Sequence, residues 1–280
     1  MTRTAPTCCG FIGLGQIGAP MARRLTDGPL CVYDVSAAAT AGLADLDAEV
    51  AGSVGELAEQ CAHISVMVRD DEQVRAVVLE ILAAASPGTV VSVHSTVDPG
   101  TPRVLTDLAE PHRVHILDAP VSGGALGAKD GRLAIMVGGS ADAFALGRPL
   151  LERMADLVVH VGPIGAGTAA KLARNLLHFV AFAAATEALA LADAAGLDLP
   201  TLGKIVRHTD AITGGAGAIM WRDRSGPLAP DDPWFKIFDH VRSLGEKDLA
   251  FAVELGDQLG VDTPLADLAL TRLGPGLGVA

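Results

Sequence analysis

The sequence predicts an α/β fold: a doubly wound, mostly parallel sheet followed by a long helix and an all-helical C-terminal part. Three observations carry that prediction. Short runs rich in Val and Ile alternate with helical stretches from residue 8 to residue 161, the pattern of parallel strands joined by crossover helices. A glycine-rich hexapeptide separates the first strand-like run from the first helical one. Beyond residue 167 Pro and Gly vanish, and Ala and Leu dominate as far as residue 195.

Taken in order, the runs at 8–12, 30–33, 64–68, 90–94, 114–117, 133–137 and 157–161 read as strands. Half of the 280 residues are hydrophobic but only 4% are aromatic, so the core must be built from Ala, Val, Leu and Ile, which suits helices packed closely on a parallel sheet. The segment from Gly162 to Gly167 then breaks the pattern, and about 168–195 reads as one helix. After Gly196 only helical periodicity remains, interrupted by Pro200, by Gly214-Gly215 and by a loop at 225–233. The expected division is a nucleotide-binding domain over 1–163 and a helical domain over 164–280.

Composition excludes several classes of function. A net charge of −12 without a Lys/Arg cluster argues against nucleic acid. Cys8, Cys9, Cys31 and Cys61 form no CxxC pair and read as reduced, buried thiols; no metal site is expected. Residues 1–6 hold no apolar stretch of signal-peptide type, so a cytoplasmic protein is expected. The apolar run 176–195 is interrupted by His178, Glu187 and Asp193 and reads as a buried helix, not a membrane span. A long Ala-rich helix cannot bury every face within so small a second domain, so a homodimer or homotetramer is expected.

Gly13-Leu14-Gly15-Gln16-Ile17-Gly18 is the strongest local signal. Gly13 permits a tight turn, Gly15 lets the backbone approach a pyrophosphate, Gly18 lets helix and strand pack closely, and the helix N-terminus offers free N–H groups. Read alone, such a hexapeptide is also a glycine-rich turn that binds nothing. Its context points to a dinucleotide, because Asp34 closes the next strand at the spacing of the residue that accepts from the ribose hydroxyls. The segment 35–39 holds no Arg or Lys for a 2′-phosphate, which favours NAD and leaves NADP possible. The alternative role for Asp34 alone is a helix N-cap.

Two further runs carry chemistry. After another strand end, Asp118-Ala119-Pro120-Val121-Ser122-Gly123-Gly124 leaves a hydroxyl and backbone N–H groups that could hold a carboxylate, or simply form a turn. On the long helix Lys171 and Asn175 stand one turn apart and share a face. Oxidising an alcohol needs a group to take the hydroxyl proton as hydride leaves carbon, and a lysine of lowered pKa fills that role; without context it is a solvated charge.

Together, the glycine loop followed by Met21-Ala22 and Leu25, the Ser95-Thr96 pair, 118–124 and the Lys171/Asn175 helix resemble the β-hydroxyacid dehydrogenase family, which includes 3-hydroxyisobutyrate dehydrogenase and tartronate semialdehyde reductase. The resemblance runs from about Cys9 to Leu273. It implies a Rossmann domain, carboxylate binding by Ser122, Gly123 and Gly124, acid/base catalysis by Lys171 with Asn175 holding the reacting group, and cofactor contacts from Val68, Thr96 and Lys247. The implied substrate is a small carboxylate. An imine reductase and a non-catalytic nucleotide-binding module are the rivals; the first generally lacks the lysine. The chain departs from the family at Arg69, where Pro is usual, at Val93, where Asp is usual, and at His240, where Phe is usual, and it ends at Ala280, short of the customary last helix. Arg69 stands beside the expected cofactor path. His208, Trp221, Arg222, Trp234 and Phe235 are further residues that could shape substrate choice.

Overall fold

The computed structural model describes residues 8–43, 46–220 and 225–279. The chain divides into two compact units, Met1–Arg174 and Asn175–Ala280.

The first unit runs β1 (Cys8–Ile12), α1 (Gly18–Arg23), β2 (Leu30–Tyr33), α2 (Ala37–Ala41), β3 (Ala48–Val50), α3 (Val54–Gln60), β4 (Cys61–Val66), α4 (Asp71–Ala84), β5 (Val90–Val93), α5 (Thr101–Ala109), β6 (His115–Asp118), β7 (Val121–Ser122), α6 (Gly124–Asp130), β8 (Leu133–Gly138), α7 (Ala141–Met154) and β9 (Ala155–Gly162). The strands form one nine-stranded sheet in the order β3-β2-β1-β4-β5-β6-β8-β7, with β9 paired to β8. From β3 to β6 every pairing is parallel, and β8 runs antiparallel to β6 and β7. All seven expected strands are present. The strand expected at 64–68 begins earlier, at Cys61, and β3 and β7 were not foreseen.

Successive side chains of a strand point to opposite faces, and the sheet is covered on both. Phe11 belongs to one apolar core with Met21, Leu25 and Leu133; its neighbour Ile12 belongs to the other with Ile64, Val78 and Ile81. Helix starts are capped as their sequences dictate. Ser53 accepts from the Glu56 N–H (3.1 Å) while Glu56 reaches back to the Gly52 N–H (2.7 Å), and Asp70 accepts from Gln73 (2.9 Å).

The long helix, α8 (Ala166–Ala194), spans the division between the units. The second unit continues with α9 (Leu199–Thr213), α10 (Phe235–Leu259) and α11 (Pro264–Leu277) and holds no strand among its described residues. Its buried apolar cluster is small: Leu228, Phe238, Leu277 and Val279. Glu187 is not a stray charge on an apolar helix. It accepts from the backbone N–H groups of Leu265 (2.8 Å) and Ala266 (3.2 Å), capping α11. The expectation of a buried helix is not met: α8 is long and apolar enough to cross a membrane, yet only 6% of its most apolar stretch is buried. Leu176, Phe179, Val180 and Phe182 lie exposed.

Candidate active site

The glycine loop leaves β1 and enters α1 under tight constraints. Gly13 adopts φ +92°, and a side chain there would strike the Met67 carbonyl; a side chain on Gly18 would strike the carbonyl of Gly13. Gly15, by contrast, faces open space. The middle glycine therefore leaves room for a ligand and the outer two let backbone meet backbone. A groove of about 650 Å³ opens here, lined by Gly15, Ile17, Asp34, Val68, Arg69 and Gln73 among others.

Asp34 is held at the mouth of that groove. Its two carboxyl oxygens accept from the Leu14 N–H (2.7 Å) and the Ser36 N–H (2.8 Å), so it braces the glycine loop against the end of β2. Each oxygen keeps a lone pair for a ribose hydroxyl. The cradle and the carboxylate together fit a dinucleotide, with no cation from 35–39 beside them. Arg69 lines the groove, but its side chain is 81% exposed and its guanidinium pairs with Asp70 at 3.0 Å.

Ser95 is a latch. Its hydroxyl accepts from the Val68 N–H (3.0 Å) and donates to the Val68 carbonyl (2.7 Å), tying the loop after β4 to the end of β5. Thr96 follows it with an exposed side chain. Behind the latch His94 is buried, bonded to Ser65 Oγ (3.1 Å) and the Ala119 carbonyl (2.8 Å). One strand position away His63 bonds Ser92 Oγ at 2.7 Å. Burial holds both imidazoles neutral, lowering the His94 pKa to about 4 and that of His63 to about 3, the latter helped by the charge of His94.

Asp118 joins the two remaining pieces. It ends β6, is 1% exposed, and accepts from the Gly165 N–H (2.8 Å) and the Thr168 N–H (2.7 Å). That carboxyl caps the start of α8 from another element, one turn before Lys171. The helix start sits directly on the sheet, because side chains at Gly138 or Gly167 would meet Asp118 and backbone atoms at under 3 Å. Three residues after Asp118 the chain enters β7, and Ser122 leads into Gly123 (φ +131°) and Gly124 (φ +63°), conformations that require glycine. Lys171 is half-buried, and its pKa is lowered first by burial and then by the neighbouring charge of Arg174.

The comparisons with known proteins agree with this geometry. Residues 8–162 match the model for the NAD binding domain of 6-phosphogluconate dehydrogenase, and residues 165–273 match that for the NAD-binding part of NADP-dependent 3-hydroxyisobutyrate dehydrogenase. The chain belongs to the β-hydroxyacid dehydrogenase family. The family's members are NAD(P)-dependent oxidoreductases acting on CH–OH groups. The chain is 35% identical over 268 residues to the NAD-dependent L-serine dehydrogenase of Pseudomonas aeruginosa, covering 93% of this chain and 89% of that one. Among solved structures, an oxidoreductase from Mycobacterium avium 104 superposes with a TM-score of 0.93 at 49% identity, covering 97% of this chain and 98% of that one. The 3-hydroxyisobutyrate dehydrogenase of Mycobacterium tuberculosis with L-serine superposes at 0.68 and 32% identity, covering 96% and 93%.

In this family member the groove gathers Gly13, Gly15, Gln16, Ile17, Gly18, Asp34 and Val68 of the expected cofactor residues, while Leu14 contributes the N–H held by Asp34. Asn175 opens the second unit. Lys247 lies on α10, 3.2 Å from Asp248, with both side chains more than half exposed. Of the departures, Val93 is buried in β5, and His240 is exposed on α10. Of the residues considered for substrate choice, His208 is exposed, Trp234 stacks on Phe238 (5.5 Å) and Phe235 packs beside it; Trp221 and Arg222 lie outside the described residues. The roles of Asp118, Ser95 and His94 as supports escaped the sequence. The only sequence signal for the first was its place at a strand end before the Ser-Gly-Gly run.

Proposed function

We propose that the chain interconverts a short β-hydroxy acid of the 3-hydroxyisobutyrate type and its semialdehyde, using NAD in preference to NADP, with Lys171 as general acid/base. The observation that carries this reading is Lys171 itself: a half-buried amine of lowered pKa, on a helix whose start is capped by the residue that ends the strand before Ser122-Gly123-Gly124. Bound NAD supplies the hydride acceptor. Lys171 Nζ takes the substrate hydroxyl proton in oxidation and returns it in reduction. The Ser122 hydroxyl and the N–H groups of Gly123 and Gly124 hold the carboxylate, and Asn175 orients the reacting group. Thr96 and Lys247 belong to the cofactor contacts. Asp34, with no cation in the segment after it, favours the free ribose of NAD over a 2′-phosphate.

In the same reading 1–163 is the nucleotide-binding domain, 164–280 is the helical domain, and the protein works in the cytoplasm as a homodimer or homotetramer. The exposed Phe179 and Phe182 of α8, whose ring centroids lie 6.1 Å apart, support an assembly, because contiguous exposed apolar patches mark contact surfaces.

The test is a screen of short hydroxy acids, including 3-hydroxyisobutyrate and L-serine, each with NAD and NADP, reading absorbance at the NADH band. The Lys171→Ala variant should lose about 10²–10⁴-fold in kcat while binding NADH as before. Undiminished turnover in that variant would overturn the assignment.

A further inference from the structure

Three of the four cysteines converge on one spot of the first unit. Cys8 and Cys61 face each other in register at the starts of the parallel strands β1 and β4, and Cys31 lies opposite Gly10 on the other neighbour of β1. All three pack into the same core, whereas Cys9, one residue along β1, packs into the core on the opposite face. Gly10 makes the convergence possible: a side chain built there would lie 3.1 Å from Cys61 Sγ. Cys61 therefore neighbours both Cys8 and Cys31, while the Cys8 thiol donates to the carbonyls of Cys9 and Pro29, each at 3.4 Å.

The thiols differ in access and in acidity. Cys8 is half-buried; Cys61 and Cys31 are fully buried. The neighbouring Cys61 thiol lowers the Cys8 pKa, while Cys61 is pushed up by its two sulfur neighbours and by burial. The accessible thiol is thus the one that ionises first, and its neighbour keeps its proton.

We propose that Cys8 and Cys61 form a redox-active dithiol whose oxidant is a hydroperoxide. The Cys8 thiolate attacks the peroxide oxygen, the O–O bond breaks, and the leaving oxygen departs as water or alcohol after taking a proton. Cys61 then attacks the resulting sulfenic sulfur, its thiol proton passing to the hydroxide that leaves as the S–O bond breaks; this releases water and leaves a Cys8–Cys61 disulfide, so two thiols lose two electrons and two protons. Paired positions on adjacent strands bring the two Cα atoms within the range a disulfide spans, and the register shift between Cys8 and Cys9 places the bond at an irregular strand start. The pair sits at the strand starts, and the glycine loop follows the other end of β1.

The experiment is peroxide treatment of the reduced full chain, quenching, and non-reducing peptide mass mapping beside labelling with a 1,3-dione probe for sulfenic acid. The expected product joins Cys8 to Cys61 with Cys9 left as a thiol, and Cys61→Ser should trap Cys8 as a sulfenic acid that the wild type does not accumulate. A crosslink that omits either residue, or equal sulfenic labelling in both proteins, overturns the proposal. Should Cys61→Ser fail to fold, Cys8→Ser decides: Cys61 should then survive peroxide as a thiol, and its oxidation without Cys8 overturns the pair equally.

Discussion

The two units of the chain treat their apolar residues in opposite ways. In the first, alternate side chains of the central strands enter two large cores, one on each face of the sheet. In the second, four residues form the buried cluster, while Phe179, Phe182, Ile205, Ile212 and Phe251 stand more than half exposed on their helices. Helices with apolar faces turned outward gain little within their own chain, since most helical stability comes from packing such a face. The difference teaches that the sheet unit buries its apolar residues within its own fold, whereas the helical unit leaves many of its own exposed.

The sharpest way to break that comparison is to charge the exposed face. Burying a Phe is worth about 2 kcal/mol, and a two-fold assembly would lose each contact twice. Replacing Phe179 and Phe182 together by Glu should therefore weaken association by several orders of magnitude, read as a fall to monomer mass in analytical ultracentrifugation. The same change at Leu146, an exposed residue of the first unit, should leave the mass unaltered. A double variant of unchanged mass would show that α8 is not the contact.

The next largest effect belongs to the first unit alone and is driven by pH. His63 and His94 are buried neutral, with pKa values lowered from 6.5 to about 3 and about 4. The unfolded chain binds those protons first as pH falls below 6.5, so stability is complete above that value and drains away towards the folded pKa values. Each histidine gives up about 1.4 kcal/mol per pH unit in this window. By pH 5 the two together should cost about 4 kcal/mol of the sheet unit's stability, measured by urea unfolding at pH 7.5 and 5. His63→Gln with His94→Gln should flatten that slope.

Asp118→Ala comes third. It would leave the buried Thr168 N–H without a partner, beside a Thr168 hydroxyl that already has none, at about 1–3 kcal/mol, and the half-buried Gly165 N–H without its acceptor. The expected outcome is a lower urea midpoint for the first unit together with a fall in kcat, since Lys171 stands one turn beyond the lost cap. Asp118→Asn keeps one acceptor and should recover part of both. Equal stability in all three proteins would remove the carboxyl from the account of how α8 is seated.

What the sequence made legible follows from the same physics. Strands rich in Val and Ile announced themselves, and Gly13, Gly15 and Gly18 with Asp34 announced the groove, because these signals are local. The edge strand β3 was missed since Ala48-Glu49-Val50 is only three residues long, too short for its alternation to register, and lies largely exposed. The latch of Ser95 on Val68 and the cap of Asp118 on Thr168 span 27 and 50 residues of chain, and no window of the sequence contains both partners. The exposure of α8 was hidden for another reason: an apolar helix has one composition whether its own chain covers it or leaves it bare.

The smallest expected effect belongs to the surface of the first unit. Arg69 stands where the family usually has Pro and lines the groove, so it is the residue through which a 2′-phosphate would gain a hold. Its side chain is 81% exposed and its guanidinium already pairs with Asp70, and an exposed ion pair contributes about 0–1 kcal/mol. Arg69→Ala should leave the melting temperature within a degree or so of wild type, given how weakly such pairs bear on stability, and should leave the ratio of kcat/KM for NAD over NADP within about threefold, the equivalent of less than 1 kcal/mol. A selective collapse of NADP use would instead make Arg69 the phosphate's anchor, and Asp34 would then no longer decide the cofactor by itself.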